Sequence, residues 1–283
     1  MTSAVDKSDY CFAAMLCLYS KNIAAEVEEA LVSAFDRQSY PPSQLIVVYD
    51  GPISDGVDSV IERFSRDNDV IKIVFDQCKG HGTARAAAVN ACKYDWIAVV
   101  DADDISMPDR FEKLLNLVVQ YPKAAVVGGG LVEFEIEDGA MIFGHTVNYP
   151  VNSDEVRRHL ARRSPIAQPT AMLRVASVKD VGNYQCWFNN EDYHLWIRLA
   201  SAGYELLNVS EPLIWFRTSP HLFARRGGIR YWWNEVKLQY FSYKNGTTTV
   251  SALLTGAIIR YFVQVLMPVE LRALFYRKVL RNL

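Results

Sequence analysis

Residues 96–104 read WIAVVDADD, an apolar run that leads directly into a cluster of acids. The five residues Trp96–Val100 predict a buried β-strand, and aspartates follow it at positions 101, 103 and 104. In an open α/β sheet, ligands bind beyond the carboxyl ends of the strands. Carboxylate oxygens suit Mg²⁺ or Mn²⁺, which commonly keep only one or two protein carboxylates and bind substrate phosphates as well. The alternative is a plain turn in which Asp104 or Ser106 caps the next helix.

Strand and helix signals alternate through the first two-fifths of the chain. Short apolar runs bounded by Gly, Pro or Asp predict strands, and segments with helical periodicity lie between them. This βαβ rhythm is typical of a mostly parallel sheet with helices on both faces. The predicted strands are Phe12–Tyr19, Leu45–Tyr49, Ile71–Phe75 and Trp96–Val100, and the predicted helices are Ala24–Ser39, Val57–Asn68, Gly82–Lys93 and Pro108–Tyr121.

After Ala124 the pattern becomes mixed, which is compatible with a second subregion built on the same sheet. Strands are predicted at Ala125–Phe134, Ala140–Tyr149 and Ala171–Val175, and helices at Ser153–Arg162, from Asn190 and from Tyr231 onward.

Composition is that of a globular protein. Half of the 283 residues are apolar, and a net charge of −2 gives no case for nucleic-acid binding. The five cysteines form no CxxC pair, which argues against a disulfide framework and a zinc site and fits a reducing compartment. The polar first ten residues predict no signal peptide, and no run of about 20 apolar residues predicts a spanning helix. We therefore expect a cytoplasmic protein.

Two further features point to the same edge of the sheet. Asp50 follows the strand LIVVY, so it should lie near the acids after Val100. Gly80-His81-Gly82 opens a helix with Arg85 in its first turn, where amide groups and a cation favour an anion. A plain loop is the alternative for this glycine pair, which matches neither a dinucleotide fingerprint nor a P-loop.

Glu191 and Asp192 begin another predicted helix, with Leu195, Trp196 and Leu199 on its apolar face. Acids in a first turn commonly just complement the helix dipole. The functional interpretation is a carboxylate that acts as a general base, for which Asp192 is the stronger candidate. His194 is expected to be packed or exposed beside the site and not to be a ligand.

Short motifs also follow one another in a specific order. They are CLYS at 17–20, YDGP at 49–52, ARA at 84–86, VVDADDISMPDRFEK at 99–113, QPT at 168–170, GNY at 182–184, NNEDYHLWIRLASAGY at 189–204 and EPLIWFR at 211–217. Together they resemble glycosyltransferase family 2, from about Cys11 to Phe216, and most of all the branch that builds bacterial capsular, exo- and O-antigen polysaccharides.

This resemblance implies an α/β GT-A (Rossmann-like) fold and an inverting transfer from a nucleotide-diphosphate sugar, expected to be UDP-linked, to a hydroxyl of a glycan or lipid-linked acceptor. It implies that Asp50 contacts the nucleobase, that Asp101 lies near the ribose and donor sugar, and that Asp103, with Asp101, holds Mn²⁺ or Mg²⁺. Asp192, with Glu191, is the implied base. The residues implied to line the nucleotide pocket are Tyr19, Ser20 and Arg85.

We expect a catalytic domain at 1–220, with a nucleotide-sugar half at 1–124 and an acceptor half at 125–220, and a helical, basic tail at 221–283. From His221 onward, the sequence contains ten Lys or Arg residues and only two acids. Apolar residues recur at helical spacing from Leu253 to Leu266, and basic residues beside them suit the anionic inner surface of a membrane. Packing of this helix on the catalytic body or in a homo-oligomer interface is the alternative.

Three further interpretations stay open. Arg225 or Arg226, in FARRGG at 223–228, could clamp the donor diphosphate, although a solvated linker is equally compatible with the sequence. A nucleotidyltransferase on a related sheet is the nearest enzymatic rival, but its Gly-rich, basic first loop is absent at Leu18–Ile23. A catalytically inactive, membrane-bound scaffold that binds a nucleotide sugar is the alternative from a different class.

Overall fold

The computed structural model describes residues 10–187, 189–218, 227–268 and 271. They form a nine-stranded mixed sheet between two layers of helices. The strands are β1 (Ala13–Leu18), β2 (Gln44–Tyr49), β3 (Val70–Val74), β4 (Trp96–Val100), β5 (Ile105–Ser106), β6 (Ala124–Glu137), β7 (Ala140–Val147), β8 (Met172–Arg174) and β9 (Glu205–Arg217). The helices are α1 (Ala24–Ala34), α2 (Asp55–Phe64), α3 (His81–Ala91), α4 (Arg110–Gln120), α5 (Ser153–Leu160), α6 (Val175–Asp180), α7 (Glu191–Ser201), α8 (Ile229–Lys244) and α9 (Val250–Tyr261), with a 3₁₀ turn at Gln168–Thr170 and a π-helical turn at Phe262–Leu266.

The first four strands form the parallel half of the sheet. The sheet order is β3-β2-β1-β4-β8-β6-β9-β5, and β7 pairs with β6. All pairings among β1, β2, β3 and β4 are parallel, which confirms the βαβ prediction. The strand order reverses between β1 and β4, since β2 and β3 lie on one side of β1 and β4 lies on the other. Such a switch point leaves a crevice at the carboxyl ends of the two strands, where open α/β sheets bind ligands.

The second half of the chain extends the sheet with mixed pairings. β8 is antiparallel to both β4 and β6, and β9 is parallel to β6. β6 and β7 form a hairpin whose two turn residues, Asp138 and Gly139, have φ of 49° and 79°. A two-residue turn with positive φ at both positions matches the twist of the strands it joins, so β6 continues to Glu137, beyond the predicted end.

Both faces of the sheet are covered. Along β1, Leu16 and Leu18 pack under α1, α2 and α4, whereas Ala13 and Met15 pack under α3, α5, α6 and α7. This explains why the parallel strands are apolar without alternation. The fully buried Trp196 of α7 belongs to the second of these layers.

The ends of several helices differ from those that the periodicity predicts. α1 ends at Ala34 and not at Ser39, because the side chain of Gln38 donates to the carbonyl oxygens of Ser33 (2.7 Å) and Met107 (2.8 Å) and holds the chain in a turn. α4 begins at Arg110, after the proline that was expected inside its first turn. Such ends depend on contacts distant in sequence.

The C-terminal helices differ in how they pack. α8 places Leu238 in the core layer that contains α7. In α9 no residue is fully buried. Within the described ranges, no helix is long and apolar enough to cross a membrane. Arg225, Arg226 and the segment after Leu271 lie outside the described residues.

Candidate active site

A cavity of about 590 Å³ opens at the switch point between β1 and β4. Small-molecule sites commonly have volumes of about 300–1,000 Å³. The residues that line it come from the ends of β1 and β4, the start of α3 and the segment that leads into α7. They are Cys17, Tyr19, Asn22, Lys79, Gly80, His81, Gly82, Arg85, Asp101, Ala102, Asp103, Cys186, Trp187, Asn189 and Glu191.

The start of α3 forms one wall of this cavity. A Cβ atom at Gly82 would lie 2.5 Å from the carbonyl oxygen of Gln185, so only glycine lets the segment before α7 approach the helix so closely. The ring of His81 meets that of Tyr19 edge-on, with centroids 5.9 Å apart. The Gly-His-Gly segment therefore shapes the cavity, although the sequence also allowed a plain loop.

Arg85 connects the two sides of the cavity. Its guanidinium pairs with Glu191 at the start of α7, and its Nη2 lies 3.4 Å from Oδ1 of Asp101 at the end of β4. The side chains of Arg85 and Glu191 are only 9 % and 12 % exposed. Burial acts to lower the pKa of Arg85, but the charges of Asp101 and Glu191 outweigh it and raise that pKa above its ordinary value. The arginine therefore stays charged and fixes α7 relative to β4.

The acids after β4 occupy different positions. Asp101 and Asp103 line the cavity, whereas Asp104 is buried, and its Oδ1 accepts the backbone N–H of Arg217 at 2.9 Å. Asp104 thus joins this loop to β9 and does not cap α4, which begins after Asp109. Burial of the carboxyl group and the charge of Asp101 raise the pKa of Asp103 to about 6, although the residue as a whole is exposed.

Asp50 lies beside the cavity and does not contribute to the described lining. Its carboxylate accepts the backbone N–H groups of Lys79 (2.6 Å) and Gly80 (2.9 Å) and the thiol of Cys78 (3.2 Å). In this structure, Asp50 therefore holds the loop before α3. Ser20 is exposed and also lies outside the described lining.

Glu191 and Asp192 form the first turn of α7. Glu191 lines the cavity, and its neighbour Asp192 is half-buried outside the lining. Burial and the charge of Glu191 raise the pKa of Asp192 to about 7, against the backbone N–H groups at the helix start and the charge of Arg85, which lower it. A carboxyl group with a pKa near neutrality suits general base catalysis.

The structure adds an aromatic group that the sequence analysis missed. The ring of Trp187, which lines the cavity, stacks on His194 with centroids 4.5 Å apart, and His194 lies 4.4 Å from Phe241 of α8. Burial lowers the pKa of His194 to about 4, so this histidine is neutral and packed, as expected. A lone tryptophan outside any periodic segment gives no signal that could have identified it.

Glu235 of α8 supports the start of α7, which the sequence also did not reveal. Its Oε1 accepts a hydrogen bond from Nδ2 of Asn190 at 2.6 Å, and its Oε2 lies 3.4 Å from Nε of Arg260 on α9. Asn190 is the residue directly before α7. A buried carboxylate on α8 therefore connects the C-terminal helices to the turn that carries Glu191 and Asp192.

The donor set of the cavity fits a divalent cation bound together with phosphate. Among the described residues, no three His, Cys, Asp or Glu side chains are arranged to hold a metal ion by themselves. Asp101 and Asp103 nevertheless present carboxylates to one cavity, and burial together with the charge of Asp101 raises the pKa of Asp103. Mg²⁺ and Mn²⁺ commonly take only one or two protein carboxylates and complete their coordination with water and substrate phosphates.

The profile of the family "Glycosyl transferase family 2" matches residues 15–182, more than half of the chain. The chain therefore belongs to glycosyl transferase family 2. Its fold is that of the GT-A glycosyltransferases, which are its structural neighbours. This membership favours a glycosyltransferase over the nucleotidyltransferase alternative.

Relatives along nearly the whole chain belong to the expected branch. The UDP-Gal:alpha-D-GlcNAc-diphosphoundecaprenol beta-1,3-galactosyltransferase of Escherichia coli is 27 % identical and covers 96 % of this chain and 97 % of its own. The amylovoran biosynthesis glycosyltransferase AmsE of Erwinia amylovora is 26 % identical and covers 94 % and 98 %. The resemblance to polysaccharide-building enzymes is thereby confirmed.

Solved structures agree with the fold. S. aureus TarS 1–349 in complex with UDP-GlcNAc matches with a TM-score of 0.64 at 14 % identity, over 95 % of this chain and 76 % of that chain. The mannosyltransferase PcManGT of Pyrobaculum calidifontis, in complex with GDP-Man and Mn²⁺, matches with a TM-score of 0.57 at 15 % identity, over 97 % and 83 %.

Proposed function

We propose that this glycosyltransferase is metal-dependent and inverting, and that it transfers a hexosyl group from a UDP-sugar to a hydroxyl of a lipid-linked glycan in surface polysaccharide synthesis. The observation that carries the proposal is that one cavity collects Asp101 and Asp103 from β4 and Glu191 from α7. Donor phosphates at Asp101 and Asp103 and an acceptor hydroxyl near the start of α7 can therefore meet in this cavity, beside the neighbouring Asp192. The Escherichia coli relative, whose name states a UDP-Gal donor and a diphosphoundecaprenol acceptor, supports the substrate classes.

Asp103, with Asp101, would hold Mn²⁺ or Mg²⁺ on the donor diphosphate. When bound there, the cation neutralises charge on the departing nucleoside diphosphate. Tyr19 and the start of α3 line the cavity where the nucleotide would bind. Asp50 would bind the nucleobase after the loop before α3 rearranges and releases it from the backbone N–H groups of Lys79 and Gly80. Ser20, which is exposed just after β1, would contribute to the same pocket.

Asp192 is the proposed base. Glu191 is already engaged in the ion pair with Arg85, whereas Asp192 forms no ion pair in the described residues and its pKa is raised to about 7. The acceptor oxygen bonds to C1 of the sugar as the bond from C1 to the diphosphate oxygen breaks, and the hydroxyl proton passes to Asp192. A single displacement from the opposite face inverts the anomeric configuration.

We place the protein at a membrane surface on the cytoplasmic side, where a lipid-linked acceptor would be available. Four apolar side chains of α9 support this placement, because Val250, Leu254, Ile258 and Ile259 are exposed in the structure. Loss of the chain from Ser251 onward should move the protein from membranes to the soluble fraction.

A panel of nucleotide sugars tests the proposal. Purified protein is incubated with each donor and a lipid-linked acceptor, with Mn²⁺ or with a chelator, and the release of nucleoside diphosphate is measured. We expect one donor to support release that the chelator abolishes and that Asp103→Asn reduces at least 100-fold. The matched control is Asp109→Asn, on the same segment outside the cavity, which should retain activity.

Metal-dependent binding of a nucleotide without turnover of any donor would instead identify the inactive scaffold. No metal-dependent binding or release with any donor would reject the proposal.

A further inference from the structure

A second cavity, of about 950 Å³, lies between the end of α5 and the start of α9. Three arginines line it, Arg157, Arg158 and Arg162, together with a single acidic residue, Glu155. Within the described part of the chain, none of the ion pairs involves any of these three arginines. The cavity therefore concentrates positive charge that the protein does not neutralise with carboxylates.

The start of α9 adds to this charge. Thr247, Thr248 and Thr249 line the same cavity, and Thr249 is the N-cap of the 12-residue helix α9. The first N–H groups of a helix and its dipole favour an anion at that end. His159 also lines the cavity, and burial, followed by the charges of Arg163 and Arg162, lowers its pKa to about 4, so this histidine adds no charge.

The helix that begins at this cavity carries an exposed apolar stripe. Val250, Leu254 and Ile258 of α9 and Phe262 and Leu266 of the π-helical turn that follows it recur at intervals of four residues and are each 54–59 % exposed. Successive members are neighbours on the helix surface, so they form a stripe that winds slowly around the axis. The helix is also tied to the basic segment, because the guanidinium of Arg260 donates to the carbonyl oxygen of Arg162.

We propose that the cavity formed by Arg158, Arg162 and the start of α9 binds the phosphate of an anionic phospholipid headgroup while the stripe of α9 enters the interface of the membrane. An amphipathic helix with cations beside its apolar face is the arrangement that binds anionic membranes. This inference rests on the proposed membrane association and names its lipid class and its residues.

The proposed lipid site is separate from the active site. Ala200, near the end of α7, lines this cavity, whereas Glu191 at the start of the same helix lines the other. A helix of this length spans about 15 Å. Nucleotide and lipid should therefore bind independently.

Vesicle sedimentation tests the proposal with the full chain. R158Q/R162Q is compared with R37Q/R66Q, which removes two exposed arginines from another part of the surface. We expect R158Q/R162Q to weaken binding to vesicles that contain phosphatidylglycerol roughly 30-fold, since each basic residue near an anionic surface contributes about 1 kcal/mol. Binding of R158Q/R162Q to vesicles of phosphatidylcholine alone should equal that of the wild type. R37Q/R66Q should bind both kinds of vesicle as the wild type does.

Two controls make the outcome decisive. L254Q/I258Q should lose binding to both kinds of vesicle, because it alters the stripe and leaves the arginines in place. Inorganic phosphate, matched in ionic strength with chloride, should compete only weakly if the site needs a lipid. Unchanged partitioning of R158Q/R162Q, equal loss in R37Q/R66Q, or full displacement by inorganic phosphate would overturn the proposal. Release of nucleoside diphosphate by R158Q/R162Q stays normal in either case when the acceptor is supplied in detergent solution without vesicles, so that assay tests the catalytic function separately.

Discussion

Replacement of Arg85 by Met should destabilise the protein in a way that depends on pH. The variant leaves Glu191 and Asp101 without their shared cation in a largely buried position, where the side chain of Glu191 is 12 % exposed. Loss of one partner from a buried ion pair typically costs about 3–5 kcal/mol. We expect about 3 kcal/mol, at the lower end, because the cavity is open to water; this corresponds to a decrease in Tm of about 6–12 °C.

The pH dependence separates this cause from a simple packing defect. The charge of Arg85 stabilises the ionised form of Asp192, whose pKa is about 7, so its removal matters more at pH 8, where Asp192 is ionised, than at pH 5, where Asp192 is protonated; the loss of stability should therefore be smaller at pH 5 than at pH 8. Arg85 also lowers the pKa of Asp192, so its removal should move the acidic limb of the pH–rate profile to higher pH. Urea unfolding followed by circular dichroism at both pH values measures the first effect.

Arg63→Met is the matched control. Arg63 pairs with Glu28 on the surface, where the two side chains are 52 % and 55 % exposed, and such pairs contribute less than about 1 kcal/mol. A loss in Arg85→Met that is below about 1 kcal/mol, or that is the same at pH 5 and pH 8, would refute the assignment of Arg85 as the cation that joins α7 to β4.

Three further predictions follow from the site. The wild-type kcat/KM should rise with pH and level off above about pH 7, since Asp192 must be ionised to accept a proton. Asp192→Asn should lose about 100-fold to 10,000-fold in kcat. A pH–rate profile without the rise below pH 7 would exclude Asp192 as the base. Gly82→Ala should destabilise the protein by about 1–3 kcal/mol through its clash with the backbone of Gln185, whereas Gly56→Ala, whose Cβ meets its nearest neighbour at 3.5 Å, should stabilise it by about 0.5–1 kcal/mol in thermal unfolding. Glu235→Leu should lower kcat with little change in donor KM, as expected for a positioning residue. Restored activity in Glu235→Gln, which keeps an oxygen acceptor, would support a hydrogen-bonding role for Glu235. An unaltered kcat in Glu235→Leu would exclude that role.

Much of the fold could be predicted from local pattern. The strand Trp96–Val100 has the predicted bounds, because five apolar residues between polar ones leave little freedom of register. Helix ends were less accurate, as for α1, because the turn held by Gln38 depends on a contact with Met107, far away in sequence. The division of the chain at residue 220 stays a prediction.

The candidate site was predictable where it follows from strand ends. The rule that ligands gather at the carboxyl ends of parallel strands pointed to Asp101 and Asp103, and both line the cavity; their roles stay predictions. It could not show that the carboxylate of Asp50 accepts hydrogen bonds from backbone N–H groups of the loop before α3, since those contacts depend on the path of the loop. Glu235 was also beyond reach, because its role arises only when α8 packs on α7.

Calorimetric titration of UDP with and without Mn²⁺ tests the central claim most directly, when it is combined with transfer assays of Asp103→Asn and Asp192→Asn. We expect Asp103→Asn to lose the metal-dependent part of UDP binding, whereas Asp192→Asn should bind UDP and Mn²⁺ like the wild type and yet fail to transfer sugar. Equal metal-dependent binding in wild type and Asp103→Asn, or normal transfer by Asp192→Asn, would contradict a cleft in which one carboxylate holds the metal and another takes the proton.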